Sequence, residues 1–216
     1  MGRTVILASS SHARRELLQR YLGGTLNVYI PHGEIEAPRS ASFKKACKHA
    51  IIAALAKALS TVESRRVKAN YIVAADTLVY IDGKVLGKPR TEDEARNYLL
   101  LLRGKWHLVI TGLAVLGIAK RAVALDYVVT HVKMRNYNDA ELEAYLASGE
   151  WRGKAGGYAI QGRGALLVEA IAGCFYNVIG LPLSRLYELV VKSGLGFEEW
   201  WTGLSAQKTS FSGTCL

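Results

Sequence analysis

One run constrains this chain more than any other: Tyr71–Ile81, YIVAADTLVYI, a β-branched and aromatic stretch with an aspartate and a threonine at its middle. Its composition predicts a buried strand. Asp82-Gly83 follows directly and is a hairpin-turn signal, with Lys84–Leu86 as the short return strand. A carboxylate inside such a strand is costly unless a cation, a proton or hydrogen bonds compensate it. Asp76 is therefore a candidate metal ligand or general base, set against a strand-end turn or a structural ion pair.

Around this run strands and helices alternate. Residues 4–8, TVILA, predict a buried strand, and Ser9, Ser10 and Ser11 lead from it into a helix with Leu17, Leu18, Tyr21 and Leu22 on one face. Residues 27–42 predict a strand and then a loop, and 43–59 a helix carrying Phe43, Ala46, Cys47, Ala50, Ala54 and Ala58 at helical spacing. Thr91 with Glu94 opens a helix that runs to about Leu102, and Asn138 with Glu141 opens another. The runs 107–117 and 122–135 are β-rich, 153–164 is glycine-rich, 165–171 and 175–179 predict strands, and a helix runs from Pro182 to about Val191. Helices between strands, with hairpins intruding, predict an α/β fold on a mixed β-sheet. No linker divides residues 1–194, which we expect to form one domain; 195–216 lacks periodicity and is expected to be a tail in which Trp200 and Trp201 pack locally.

The totals narrow the function classes. The net charge is +10, which attracts anions. Lys and Arg are scattered with only short clusters, at Arg14-Arg15 and Lys44-Lys45. A small polyanionic substrate fits that pattern better than a nucleic-acid partner, although a basic nucleic-acid-binding regulator is the rival reading. Three cysteines without a CxxC suggest neither a disulfide framework nor a zinc site. With no signal peptide and no apolar run of membrane-spanning length, the expectation is a cytoplasmic protein away from membranes.

Three further segments could serve Asp76. The serine turn and helix start at 9–15 put hydroxyls, backbone N–H groups and Arg14 where an anion could sit. Lys88, between Gly87 and Pro89, is held in an extended turn and could point at a phosphate. Lys154–Gly162, KAGGYAIQG, lets backbone approach a ligand, and the Gln161 amide could read a base edge. Glu34 and Glu36, in the loop before the long helix, could supply a second carboxylate. The histidines show no ligand spacing, and Cys47 lies on an apolar helix face.

Four segments in one order, ILASSSHARRELL (6–18), AADTLVYIDGKVLGKPR (74–90), LRGKWHLVITGLAV (102–115) and 149–190 with its KAGGYAIQG, resemble the Maf-like nucleoside triphosphate pyrophosphatases. The resemblance implies an elongated mixed β-sheet flanked by helices, with two lobes around a deep cleft, and often a homodimer. It implies cleavage between the α- and β-phosphates with a divalent metal, Mg2+ or Mn2+. It assigns Asp76 as the catalytic aspartate, Thr77 and Gln161 to substrate choice, and Ser9, Arg14, Lys88 and Lys154 to the phosphates. It places the metal on Asp76, with Glu36 and Glu34 as further ligands. The Asp-Thr and Ile-Gln-Gly text is closest to the branch acting on dTTP and UTP. Ala13 stands where that family has an arginine tied to pyrimidine preference, and Lys48-His49 where its long helix has a Glu-Lys pair. These departures leave open a nucleotide-binding relative of low activity.

Overall fold

The computed structural model describes residues 4–22, 25–33, 35–64 and 69–193. The seven strands are β1 (Thr4–Ala8), β2 (Thr25–Tyr29), β3 (Tyr71–Ile81), β4 (Lys84–Leu86), β5 (Trp106–Gly117), β6 (Ala122–Met134) and β7 (Val168–Ala172). They form one sheet in the order β2-β1-β3-β5-β6-β7, with β4 also beside β3. The β1 pairings with β2 and β3 are parallel, and all the others are antiparallel. Among the described residues the six α-helices are α1 (His12–Tyr21), α2 (Phe43–Glu63), α3 (Glu92–Leu102), α4 (Asp139–Ala147), α5 (Phe175–Ile179) and α6 (Leu183–Lys192). This is the mixed α/β architecture that the alternating pattern predicts.

Side chains alternate across β3 as strand geometry requires. Ile72 and Ala74 pack on Ala54 and Ala58 of α2, and Leu78 packs on Ala46 and Ala50 farther up that helix. Val73 and Ala75 face the other way, onto Leu17 and Leu18 of α1 and Leu186 and Leu189 of α6. A separate core lies toward the far ends of β3, β5 and β6. It joins Leu99, Leu102, Met134, Tyr137, Leu142, Tyr145, Trp151 and Tyr158. A cleft lies between these cores.

Caps set several helix starts. Ser11, Ser42, Thr91 and Asn138 each accept a backbone N–H from the residue three positions on. At Asn138 the box closes, because Glu141 bonds back to the Asn138 N–H. At Thr91 it does not: Glu94 reaches instead to the Arg90 N–H. The expected strand at 175–179 is a correction, for these residues form α5. Gly180, at φ 107°, ends that helix in the left-handed region and donates to Tyr176 O and Asn177 O, while buried Asn177 ties the turn to Val109 and Thr130. Tertiary hydrogen bonding thus overrides the β propensity of FYNVI. The expected strand at 165–171 divides into a 3-10 turn over Arg163–Leu167 and then β7. The tail, with Trp200, Trp201 and Cys215, lies outside the described residues.

Candidate active site

The strand pairing leaves one break beside β3. On one edge β1 pairs with β3 up to Ala74, and β4 takes over only at Val79. Residues 75–78 between them have β5 on their other side but, among the described residues, no strand on this one. A break where a sheet changes partners is a place where ligands reach strand residues. Asp76 and Thr77 sit in it, and the turn after β1, Ser9–Arg14, lies at its edge. A cavity of about 620 Å³ opens there. Its lining includes Ser9, Arg14, Asp76, Thr77, Lys88, Lys154 and Gln161, so seven residues singled out in the sequence meet in one place.

Asp76 faces α2. Its Oδ1 accepts a hydrogen bond of 2.6 Å from Lys57 Nζ. The two side chains are only 19% and 7% exposed, so the pair is shielded from screening by water. Lys57 is the cavity residue beside Asp76 that sequence reading missed. The available signal was position: it follows Ala50 by seven residues and Ala54 by three, which puts a charge on the buried stripe of an otherwise apolar helix face. Lys48 is exposed and is not part of the cavity lining.

Helix α2 reaches the sheet because β5 carries Gly112 in register with Asp76. A Cβ at Gly112 would lie 2.2 Å from the Ala50 backbone. With alanines on the helix and no side chain beneath it, Lys57 needs no long reach to the carboxylate.

Thr77 faces the opposite way. Arg14 Nη2 donates to Thr77 Oγ1 at 2.8 Å, Arg14 Nε to Gly180 O at 2.7 Å, and Nη1 to Ser9 Oγ at 3.4 Å. The buried guanidinium thus ties the β1–α1 turn, β3 and the end of α5 together. Thr77 Oγ1 also lies 2.9 Å from Thr111 Oγ1.

The far wall is the glycine-rich segment. Gly156 N donates to Gly87 O at 3.0 Å, which joins the turn carrying Lys154 to the turn carrying Lys88. Gly156 has φ 70°, and a Cβ there would meet Val79 at 2.7 Å, so both conformation and space require glycine. Tyr145 Oη accepts from Ala159 N at 3.1 Å, and Tyr158 Oη lies 2.7 Å from Nε2 of His107. Burial pushes the His107 imidazole down to about 4, and pushes the Tyr145 and Tyr158 phenols up. Val79, Val109, Tyr158, Val178 and Ile179 give this side of the cavity an apolar lining.

The proposed metal ligands are dispersed. Glu36 is exposed, ion-paired with Arg90 and outside the cavity lining. Glu34 lies outside the described residues. Among the described residues, no three His, Cys, Asp or Glu side chains are grouped to hold an ion. Magnesium commonly takes only one or two carboxylates and fills its sphere with water and substrate phosphates. Glu16 and Glu150 also line the cavity but are turned to His12 and Arg163, so Asp76 fits a cation that arrives with a triphosphate, and does not fit a resident metal caged by protein. Among the described residues, no helix is long and apolar enough to cross a membrane.

Comparison with known proteins identifies the family of the chain. The model of the family described as "Maf-like protein" matches residues 4–193. The chain is 41% identical over 196 residues to a dTTP/UTP pyrophosphatase of Dictyoglomus thermophilum, covering 90% of this chain and 98% of that one. It is 38% identical to the dTTP/UTP pyrophosphatase of Caldanaerobacter subterraneus, covering 90% and 94%. It is 40% identical to that of Pyrococcus furiosus, covering 86% and 93%.

Proposed function

The chain belongs to the Maf-like family, and from that premise we propose that it hydrolyses nucleoside triphosphates to the monophosphate and pyrophosphate, with dTTP and UTP as preferred substrates. The observation that carries this reading is Asp76, a carboxylate in the partner gap of β3 that opens into a cavity shared with Lys57, Lys88, Lys154 and Gln161. The same bases appear in the names of relatives about 40% identical across nearly their whole length.

A triphosphate would lie with its phosphates toward the Lys88 and Lys154 turns, which supply charge-assisted donors. Asp76 takes the proton of a water that attacks the α-phosphorus, and pyrophosphate leaves. The Lys57 ammonium fixes which carboxylate oxygen faces the water. Arg14 contributes a positive field behind the phosphates while its hydrogen bonds to Ser9, Thr77 and Gly180 hold the Ser9 turn and Thr77 in place. A divalent cation, Mg2+ or Mn2+, would be held by Asp76 and the phosphates and would supply Lewis-acid neutralisation of phosphate oxygens. Ser9 and the backbone around it complete the polar side of the cavity. The base would rest on the apolar wall, with the Gln161 amide at its edge.

The test is a panel of canonical triphosphates with magnesium or manganese, scored for monophosphate with pyrophosphate against diphosphate with phosphate. Pyrophosphate from dTTP and UTP supports the reading. Diphosphate product, or near-normal turnover by Asp76→Asn, overturns it.

A further inference from the structure

The cavity is lined by five Lys and Arg residues and by three Asp and Glu residues. None of the three carboxylates is given to Arg152. Asp76 accepts from Lys57 Nζ, Glu16 lies 3.4 Å from Nδ1 of His12, and Glu150 accepts the Arg163 N–H at 2.7 Å. Among the described residues, the Arg152 side chain makes no ion pair and no hydrogen bond. Its guanidinium sits instead over the Trp151 indole, with Cζ 4.4 Å from the ring centroid.

This placement is built by the turn that follows α4. The Arg152 N–H donates to Gly149 O at 3.1 Å, and Gly149 takes φ 71° to let the chain reverse. Trp151 is buried in the large-residue core, and its Nε1 donates to Leu146 O, so the ring is a fixed platform for the arginine. A Cβ on Gly149 would lie 2.8 Å from Arg152 Nη1, which puts the guanidinium beside a second residue of the cavity lining. The Lys154 N–H donates to Trp151 O at 3.2 Å. One buried residue thus anchors both Arg152 and the turn that carries Lys154.

We infer that Arg152 is a substrate-binding residue for the β- and γ-phosphates, the half of the triphosphate that leaves as pyrophosphate. The inference rests on the proposed reading that a nucleoside triphosphate is cleaved in this cavity. An indole attracts the cation through its ring quadrupole but supplies no oxygen to the N–H fork. A planar fork of donors with no carboxylate on it matches phosphate oxygens. Stacking also removes in advance part of the rotamer freedom that a solvated arginine loses on binding. Position selects the half of the substrate. The α-phosphorus lies toward Asp76, whose side chain is largely shielded, and the base toward the apolar wall. Arg152 is exposed, at the rim of the cavity, where the remaining phosphates come nearest to water.

The test measures UTP hydrolysis by the full-length chain with magnesium, and its inhibition by pyrophosphate and by UMP. Arg152→Met keeps an unbranched side chain to lie on Trp151 and removes the charge. It should raise both the KM for UTP and the inhibition constant of pyrophosphate by about tenfold, the low end for a charged hydrogen bond because water reaches the site. The kcat and the inhibition constant of UMP should change by less than about twofold, because the lost contact binds substrate and transition state alike. Unchanged inhibition by pyrophosphate overturns the inference. So does a rise in the UMP constant with the pyrophosphate constant unmoved, which would place Arg152 on the nucleoside half. A wild type that releases no pyrophosphate from UTP overturns the pyrophosphatase reading itself, which keeps the two failures apart.

Discussion

The two walls of the cleft are packed by different means. The wall behind Asp76 is built from small residues: Ala46, Ala50, Ala54 and Ala58 of α2 lie on a sheet whose Gly112 offers no side chain. The wall behind Lys154 and Gln161 is built from large ones, Trp151, Tyr145, Tyr158 and Tyr137 among them. Small residues let two backbones approach, so a short reach suffices to seat one charge on another. Large amphipathic residues do a different task. Their polar ends hold an irregular loop, as Tyr145 holds the Ala159 N–H and Trp151 Nε1 holds Leu146 O at 3.1 Å. One wall positions Asp76 by close approach, and the other supports a backbone with little regular structure.

The contrast breaks first at Asp76. Asp76→Asn keeps shape and volume but removes the base and the charge, and should lower kcat by about 10⁴-fold while also lowering the thermal transition, because the buried Lys57 ammonium loses its counter-charge. Pyrophosphate release and a melting scan on the same sample check both halves. Gly112→Ala attacks the small-residue wall itself. Because the new methyl would sit 2.2 Å from backbone that cannot rotate away, it should destabilise by upwards of about 3 kcal/mol in urea unfolding. A neutral effect there would show that α2 is not held in close contact.

The large-residue wall is tested by acid. Folding holds the His107 imidazole near 4 against about 6.5 in an unfolded chain, so the unfolded state binds the extra proton between those values. Stability is therefore lost as pH falls through 6.5 toward 4, by about 3 kcal/mol for this group. Urea midpoints across that range should fall less steeply in His107→Gln than in the wild type, and parallel curves would refute the assignment. Lys57→Met keeps the reach of the side chain but removes its charge. It should cost about 10²-fold in kcat, with KM changed far less, because the lost contact serves the reacting group. Tyr145→Phe deletes a single hydrogen bond to the loop and should cost only about 1 kcal/mol, which equilibrium unfolding resolves.

Local pattern carried much of the architecture. The runs 71–81 and 84–86 form strands with the expected bounds, the paired runs after residue 106 form β5 and β6, and α2 starts at Phe43 as expected but continues to Glu63. These elements have strong periodicity or turn chemistry, which belongs to the chain itself. The segment 175–179 was misread because its helix depends on Asn177 reaching Val109 and Thr130, partners more than forty residues away. The site shows the same division. Asp76 is conspicuous because a carboxylate in an apolar strand needs a partner, yet nothing near it in sequence names that partner.

Sequence alone determined that this chain makes a mixed α/β sheet, that Asp76 is its chemically exposed point, and which segments are able to serve it. Its likeness to a family ordered those segments into one site. Only the tertiary structure decided that Lys57 is the cation on Asp76, that Glu36 turns to Arg90 instead, and that Arg14 donates to Thr77. Periodicity and caps are set by neighbours along the chain, whereas the partner of a buried charge or hydroxyl is set by which faces two elements turn to each other, and that is settled only when they pack.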